Sequence, residues 1–264
     1  MSESQQQMGE RFRSLHEGEA FIIPNPWDAG TAKVLAGLGF QALATTSAGF
    51  AFSLGRLDGG VSLDEVIDHT RMLAEATELP VSVDLENGYG PAPDDAARAI
   101  AGAADAGAVG GSIEDYDPSG EIYSVEHATE RIAAAVEAAR KFGFPFTLTA
   151  RAENHIRGNP DIDDTIARLQ SYERAGADVV YAPGLKSTDD IRAVCDATSK
   201  PVNVLARPDL SVQAITEAGA KRISLGSWLT WVSVGALMDF ATQMRDRGDL
   251  STLSFPREIR EWLR

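Results

Sequence analysis

The chain has 264 residues, 44% hydrophobic and 24% charged, with a formal net charge of -15 and a single cysteine, Cys195. The length accommodates one large barrel of about 250 residues, and the composition is ordinary for a water-soluble globular enzyme. The acidic balance argues against a nucleic-acid partner, which needs clustered Lys and Arg, and one cysteine excludes both an intrachain disulfide and a cysteine-rich metal site.

Residues 1–18 form a polar segment containing Glu3, Glu10, Arg11 and Arg13, without the apolar core of a signal sequence. No run approaches the roughly 18 apolar residues of a spanning helix, so a cytoplasmic protein with no membrane partner is expected. Residues 19–264 read as one domain. Short apolar, β-branched runs at 21–24, 42–46, 81–86, 110–115, 146–151, 179–183, 202–206 and 222–226 predict eight strands. Most are too continuously apolar for a half-exposed sheet, which suits parallel strands covered on both faces. Between them, 63–76, 94–106 and 128–141 are rich in Ala, Leu and Glu at helical spacing. A glycine ends several helices before the next strand begins, as at Gly107, Gly176 and Gly219. Eight alternating βα units predict a single (β/α)8 barrel of the α/β class. A doubly wound sheet is the runner-up, but Asn25-Pro26-Trp27-Asp28 stands after the first strand in place of a Gly-x-Gly-x-x-Gly turn. Residues 227–247 predict a strongly apolar last helix, which would pack either on its own barrel or on another subunit.

Barrel chemistry sits at the carboxyl ends of the strands. There the sequence places Thr46 and Ser47 with Asp58 in the following loop, then Asp84 and Glu86, then Glu114 and Asp115, then Arg151 and Glu153. Several carboxylates at one rim repel unless a positive charge lies among them. A hard divalent cation bound through one or two carboxylates and several waters meets that need. Asp84 and Glu86, two apart on a strand, would share a face, and Arg151 would offer a fork to a substrate carboxylate. Any one of these carboxylates could instead cap a helix, and Arg151 could pair with Glu114 or Glu153. Of the histidines only His155 falls near this rim, and Cys195 lies in a helix as an inert thiol. The polar stretch 116–123 reads as a lid or a surface loop.

The segment Val83-Asp84-Leu85-Glu86-Asn87-Gly88-Tyr89-Gly90 resembles the Asp-x-Asp-Thr-Gly-Tyr-Gly signature of the isocitrate lyase/phosphoenolpyruvate mutase superfamily. The similarity extends over about residues 24–226 through Leu54-Gly55-Arg56-Leu57-Asp58, Glu114-Asp115, Ala150-Arg151-Ala152-Glu153 and Tyr172 to Asp178. The resemblance implies a barrel whose last helix is exchanged between subunits of a homodimer or homotetramer, with Mg²⁺ or Mn²⁺ and a small carboxylic acid of the 2-oxo class. It implies Asp84 as a direct metal ligand, Asp58, Glu86 and Glu114 as direct or water-mediated ones, and Arg151 on the substrate carboxylate. The backbone of Thr46, Ser47 and Ala48 would cradle the oxo-acid oxygens.

Departures narrow the substrate. The Lys-Lys-Cys-Gly-His loop of isocitrate and methylisocitrate lyases is replaced here by residues 115–124, which contain no cysteine, and no lysine occurs between Asp115 and Arg140. Glu86 and Asn87 replace the signature's Asp and Thr. These departures leave a metal-dependent lyase or decarboxylase, oxaloacetate decarboxylation being the least demanding reaction, with Tyr123, Tyr116 or Glu121 as acid/base where one is needed. The alternatives are a P–C bond enzyme of the phosphoenolpyruvate mutase or phosphonopyruvate hydrolase type, a catalytically silent metabolite-binding barrel, and a ketopantoate-type hydroxymethyl transferase.

Overall fold

In the computed structural model, which describes residues 4–254, 256 and 258–263, the eight apolar runs pair in parallel as one sheet. Its order is β1 (Phe21–Ile23), β8 (Arg222–Ser224), β7 (Val202–Leu205), β6 (Val179–Tyr181), β5 (Thr147–Arg151), β4 (Gly110–Glu114), β3 (Val81–Asp84) and β2 (Leu43–Ala44). The two ends of that order meet: the Ala44 N–H donates to the Pro24 carbonyl at 3.0 Å, and Asn25 Nδ2 donates to the Thr45 carbonyl at 2.8 Å. The sheet therefore curls into a nearly closed (β/α)8 barrel, as predicted.

Helices α2 (Ala29–Gly37), α4 (Leu63–Ala76), α5 (Pro93–Asp105), α6 (Val125–Ala139), α7 (Ile162–Ala175), α8 (Thr188–Ala197) and α9 (Val212–Glu217) return the chain to successive strands. Ser62 and Glu65 close a reciprocal capping box on α4, and Ser187 with Asp190 does the same on α8. Gly176, at φ 105°, ends α7 in the left-handed conformation that turns the chain toward β6. A short extra helix, α3 (Ser47–Ser53), follows β2 directly.

The polar segment before β1 is itself a helix, α1 (Gln5–Glu17). Its buried face consists of Gly9, Phe12 and His16. Phe12 packs with Phe21, Ile23, Ala42 and Val109, so α1 plugs the end of the barrel where the strands begin. A Cβ on Gly9 would lie 2.3 Å from the Pro145 carbonyl oxygen, which allows only glycine there. At the other terminus α10 (Trp228–Arg247) buries Thr230 alone, and α11 (Ile259–Trp262) returns to α2. Among the described residues no helix is long and apolar enough to cross a membrane.

Candidate active site

Asp84, Glu114 and Arg151 are the last residues of β3, β4 and β5, and Glu114 and Arg151 are register partners. Asp84 is fixed from several sides. Its N–H donates to Thr45 Oγ1 at 2.8 Å, and its carboxylate faces the N–H groups of Glu86 (3.3 Å) and Ser47 (3.5 Å) and the Ser112 hydroxyl (3.5 Å). The expectation that Asp84 and Glu86 share a face through strand alternation does not hold. The strand stops at Asp84, and Glu86 takes a left-handed φ of 47°, so a turn and not the pleat brings its carboxylate to the same mouth. Gly88 and Tyr89 continue that turn at φ 78° and 62°. The Tyr89 hydroxyl donates to Glu86 Oε1 at 3.1 Å.

Two arginines stand among the carboxylates. Arg151 Nε hydrogen-bonds Glu153 Oε1 and lies 3.4 Å from Glu114 Oε2, while its Nη1 is 3.8 Å from Asp84 Oδ1. Arg157 Nε donates to Glu153 Oε2 at 3.1 Å and its Nη2 is 4.0 Å from Glu114, with the guanidinium 3.6 Å over the Tyr116 ring. The acids still outnumber the bases. Burial, then the charges of Asp84 and Asp58, push Glu86 up to about 7. Burial likewise raises Glu114 well above the usual carboxylate range, with Glu153, Asp84 and Glu86 adding to it and Arg151 opposing. Asp58 sits on an exposed loop and reaches this group through its charge on Glu86.

Among the described residues no three His, Cys, Asp or Glu side chains are arranged to hold a metal ion. The donors at this mouth are nonetheless all carboxylate oxygens whose charges act on one another. That chemistry fits a hard cation taking one or two carboxylates directly and the others through water.

The remaining predicted residues are more widely spread. Thr46 caps α3, accepting from the Gly49 N–H at 3.3 Å, and Ser47 and Ala48 open that helix beside Asp84. Tyr123 lies off the cavity: its hydroxyl donates to Asp117 at 2.8 Å and accepts from Asn87 at 3.3 Å. Asp115 turns away from the mouth, as alternation with Glu114 requires. It accepts from Arg168 (3.0 Å), the Tyr172 hydroxyl (2.6 Å) and the Glu153 N–H (2.8 Å), a buried structural knot. Cys195 sits half-buried in α8, its thiol pushed up to about 11 by burial. His155 packs toward Gly184 rather than the carboxylates.

A cavity of ≈60 Å³ opens beneath the mouth, bounded by Thr45, Thr46, Asp84 and Arg151 above and by Tyr181, Asn203 and Arg222 below. Sequence reasoning did not single out Arg157, Arg131 or Arg222. Arg157, four residues after Glu153, carried a weak signal of i,i+4 pairing. Arg222 carried another, a charge within an otherwise apolar strand.

Residues 12–245 match the family model described as phosphoenolpyruvate phosphomutase. The 2-methylisocitrate lyase of Halalkalibacterium halodurans is 31% identical over 75% of this chain and 67% of its own. The oxaloacetate decarboxylase of Bradyrhizobium diazoefficiens is 30% identical over 76% and 71%. A crystal structure from Burkholderia cenocepacia, provisionally described as a lyase/mutase, superposes with a TM-score of 0.94 at 50% identity, covering 98% of this chain and 96% of that one.

Proposed function

The chain belongs to the phosphoenolpyruvate phosphomutase family, and from that premise we propose that it is a divalent-metal-dependent lyase or decarboxylase of a small 2-oxo or 2-hydroxy acid. The observation that carries this is the set Asp84, Glu86, Glu114 and Arg151 at one mouth, with two acids held above their ordinary range by burial and mutual charge. Such perturbed clusters in a cleft mark functional sites. The 2-methylisocitrate lyase and the oxaloacetate decarboxylase similar to this chain cleave carbon–carbon bonds by their names.

In this reading Asp84 holds Mg²⁺ or Mn²⁺ directly, and Glu86, Glu114 and Asp58 hold it directly or through water. The cation would supply positive charge where an enolate oxygen develops as the C–C bond breaks. For decarboxylation of a 2-oxo acid the pair of the breaking C–C bond would enter the enolate, CO2 would leave, and a proton would return to carbon. A 2-hydroxy acid would first give its hydroxyl proton to a base, Tyr116 or Glu121. Its own carbinol carbon would become the carbonyl of one fragment, while the other fragment takes the bond's electron pair and a proton. With a cation held by Asp84 and Glu114, Arg151 Nε would keep its bond to Glu153 while its two Nη groups would be left for a substrate carboxylate beside the backbone of Thr46, Ser47 and Ala48. Ser47 contributes its N–H there. In this reading Tyr123 would give up its bond to Asp117 and turn into the mouth to serve as the proton donor. A P–C bond reaction would lack the lysine of the 116–123 loop.

One observation favours the silent, metabolite-binding barrel: among the described residues no ready-made set of three metal ligands is formed. A screen of 2-oxo and 2-hydroxy acids with Mg²⁺, tracking pyruvate or glyoxylate release, decides between them. Turnover that EDTA abolishes, that Mg²⁺ restores and that Asp84→Ala eliminates is the expected result. Undiminished turnover in metal-free protein would remove the carboxylate site from the mechanism.

A further inference from the structure

Arg222 is the register partner of Asn203, Asn203 of Tyr181, and Tyr181 of Arg151. Paired residues of adjacent strands project to the same side of a sheet, and all four bound the cavity beneath the mouth. Because barrel strands tilt, the row descends from Arg151 into the interior, where Arg222 is 5% exposed.

The two guanidiniums differ in their company. Arg151 has three carboxylates within 4 Å. Arg222 has none among the described residues. Its Nε donates to Asn203 Oδ1 at 2.8 Å, its Nη2 to Thr149 Oγ1 at 2.9 Å, and its Nη1 faces His16 Nε2 at 3.3 Å. His16 cannot serve as a counter-charge. Its Nδ1 is 2.8 Å from the Phe12 carbonyl and so carries the proton, and burial and Arg222 lower its pKa to about 3. Burial lowers Arg222 itself to about 10, which leaves it cationic at neutral pH. A buried charge without a counter-ion is destabilising by several kcal/mol. Five N–H donors meet three protein acceptors, so donors remain for a ligand. The cavity's ≈60 Å³ has room for a few waters or one carboxylate group.

We propose that this cavity is a metal-independent anion subsite in which Arg222 receives one carboxylate group. The subsite does not rest on the proposed lyase or decarboxylase function.

Formate is the probe, titrated into EDTA-treated protein at constant ionic strength and read by melting temperature. Wild type should show a saturable rise. Asn203→Asp places a carboxylate 2.8 Å from Arg222 Nε without a change of shape, and the Ser224 hydroxyl, 3.0 Å from Asn203 Nδ2, can turn to donate to it. This variant should melt at or above the wild-type temperature without formate, and its apparent formate affinity should fall at least about tenfold. Arg222→Lys, which keeps the charge and loses the fork, should bind with intermediate affinity. A wild type without saturable formate binding, or an Asn203→Asp protein that binds like wild type, overturns the proposal. Mg²⁺ binding is measured separately by calorimetry. Formate binding without Mg²⁺ binding supports this site while counting against the metal-dependent reaction; Mg²⁺ binding without formate binding overturns this site alone.

Discussion

Glu86 shows most directly how single residues set the chemistry of this mouth. Its carboxyl is raised from 4.5 to about 7 in the folded, metal-free protein, first by burial and then by Asp84 and Asp58. Folding therefore takes up a proton between those two pH values. The stability contributed by the protonated form is fully present below about pH 4.5 and is lost as pH rises through about 7. Metal-free wild type should lose stability across that window relative to Glu86→Gln, which keeps the shape and an acceptor for Tyr89. Saturating Mg²⁺ should flatten the difference, since the cation favours the ionised carboxylate. Parallel melting-temperature profiles for wild type and Glu86→Gln in EDTA would refute the assignment. The acidic spacing that points to this residue is plain in the sequence, but its left-handed backbone is not, because a non-glycine residue takes that conformation only where its surroundings impose it. Arg222 was hidden for a related reason: whether a charge opening a strand faces solvent or the barrel axis depends on register, and register is a long-range property.

At the scale of elements, the turn that carries Glu86 is held by the helix of the next βα unit. Arg131 on α6 reaches across to it, its Nη2 donating to the carbonyls of Asn87 and Gly90 (2.9 Å to the latter) and its Nη1 to that of Glu114 at 3.1 Å. It is 1% exposed. Arg131→Met should destabilise the protein by about 2–4 kcal/mol, because three carbonyls lose their donors in the interior. It should also weaken Mg²⁺ binding, since both Glu86 and Glu114 hang from the carbonyls it ties. Thermal denaturation and calorimetry check the two effects, and an unchanged melting temperature would show that water replaces the guanidinium. The strands and most barrel helices were legible because continuous apolar runs and Ala-rich helical spacing report burial directly. Helix α1 was not. Its buried face is one glycine, one phenylalanine and one histidine in an otherwise polar segment, and the Ser4–Gln7 capping box that starts it is a short local signal that only tertiary packing against Pro145 and β1 makes decisive.

For the whole molecule, the open balance is between charge and apolar surface. A net charge of -15 drives copies of the chain apart. Yet α10, with 20 residues, buries Thr230 alone, while Val232, Leu237 and Met238 are 67%, 65% and 63% exposed and Trp228 and Trp231 more than 40%. Trp231 finds one aromatic neighbour, Phe52 on α3, itself 42% exposed. Among the described residues beyond α10, α11 returns to the barrel, Trp262 packing against Gly37 of α2, and the described residues leave the apolar length of α10 uncovered. Large apolar side chains exposed in this number along one helix point to an association surface, which a second copy presenting the same helix would cover, as exchange of α10 between subunits would. The expected outcome in light scattering is a dimer or tetramer at micromolar concentration that tightens with added salt, because screening relieves the repulsion between acidic subunits while apolar burial persists. Leu237→Asp should weaken that association by at least about a hundredfold, roughly 2.7 kcal/mol, without lowering the melting temperature of the monomer, since Leu237 is mostly exposed in its own chain. A monomeric wild type at all salt concentrations would refute the association, and a Leu237→Asp protein that assembles like wild type would place the interface elsewhere than on this helix.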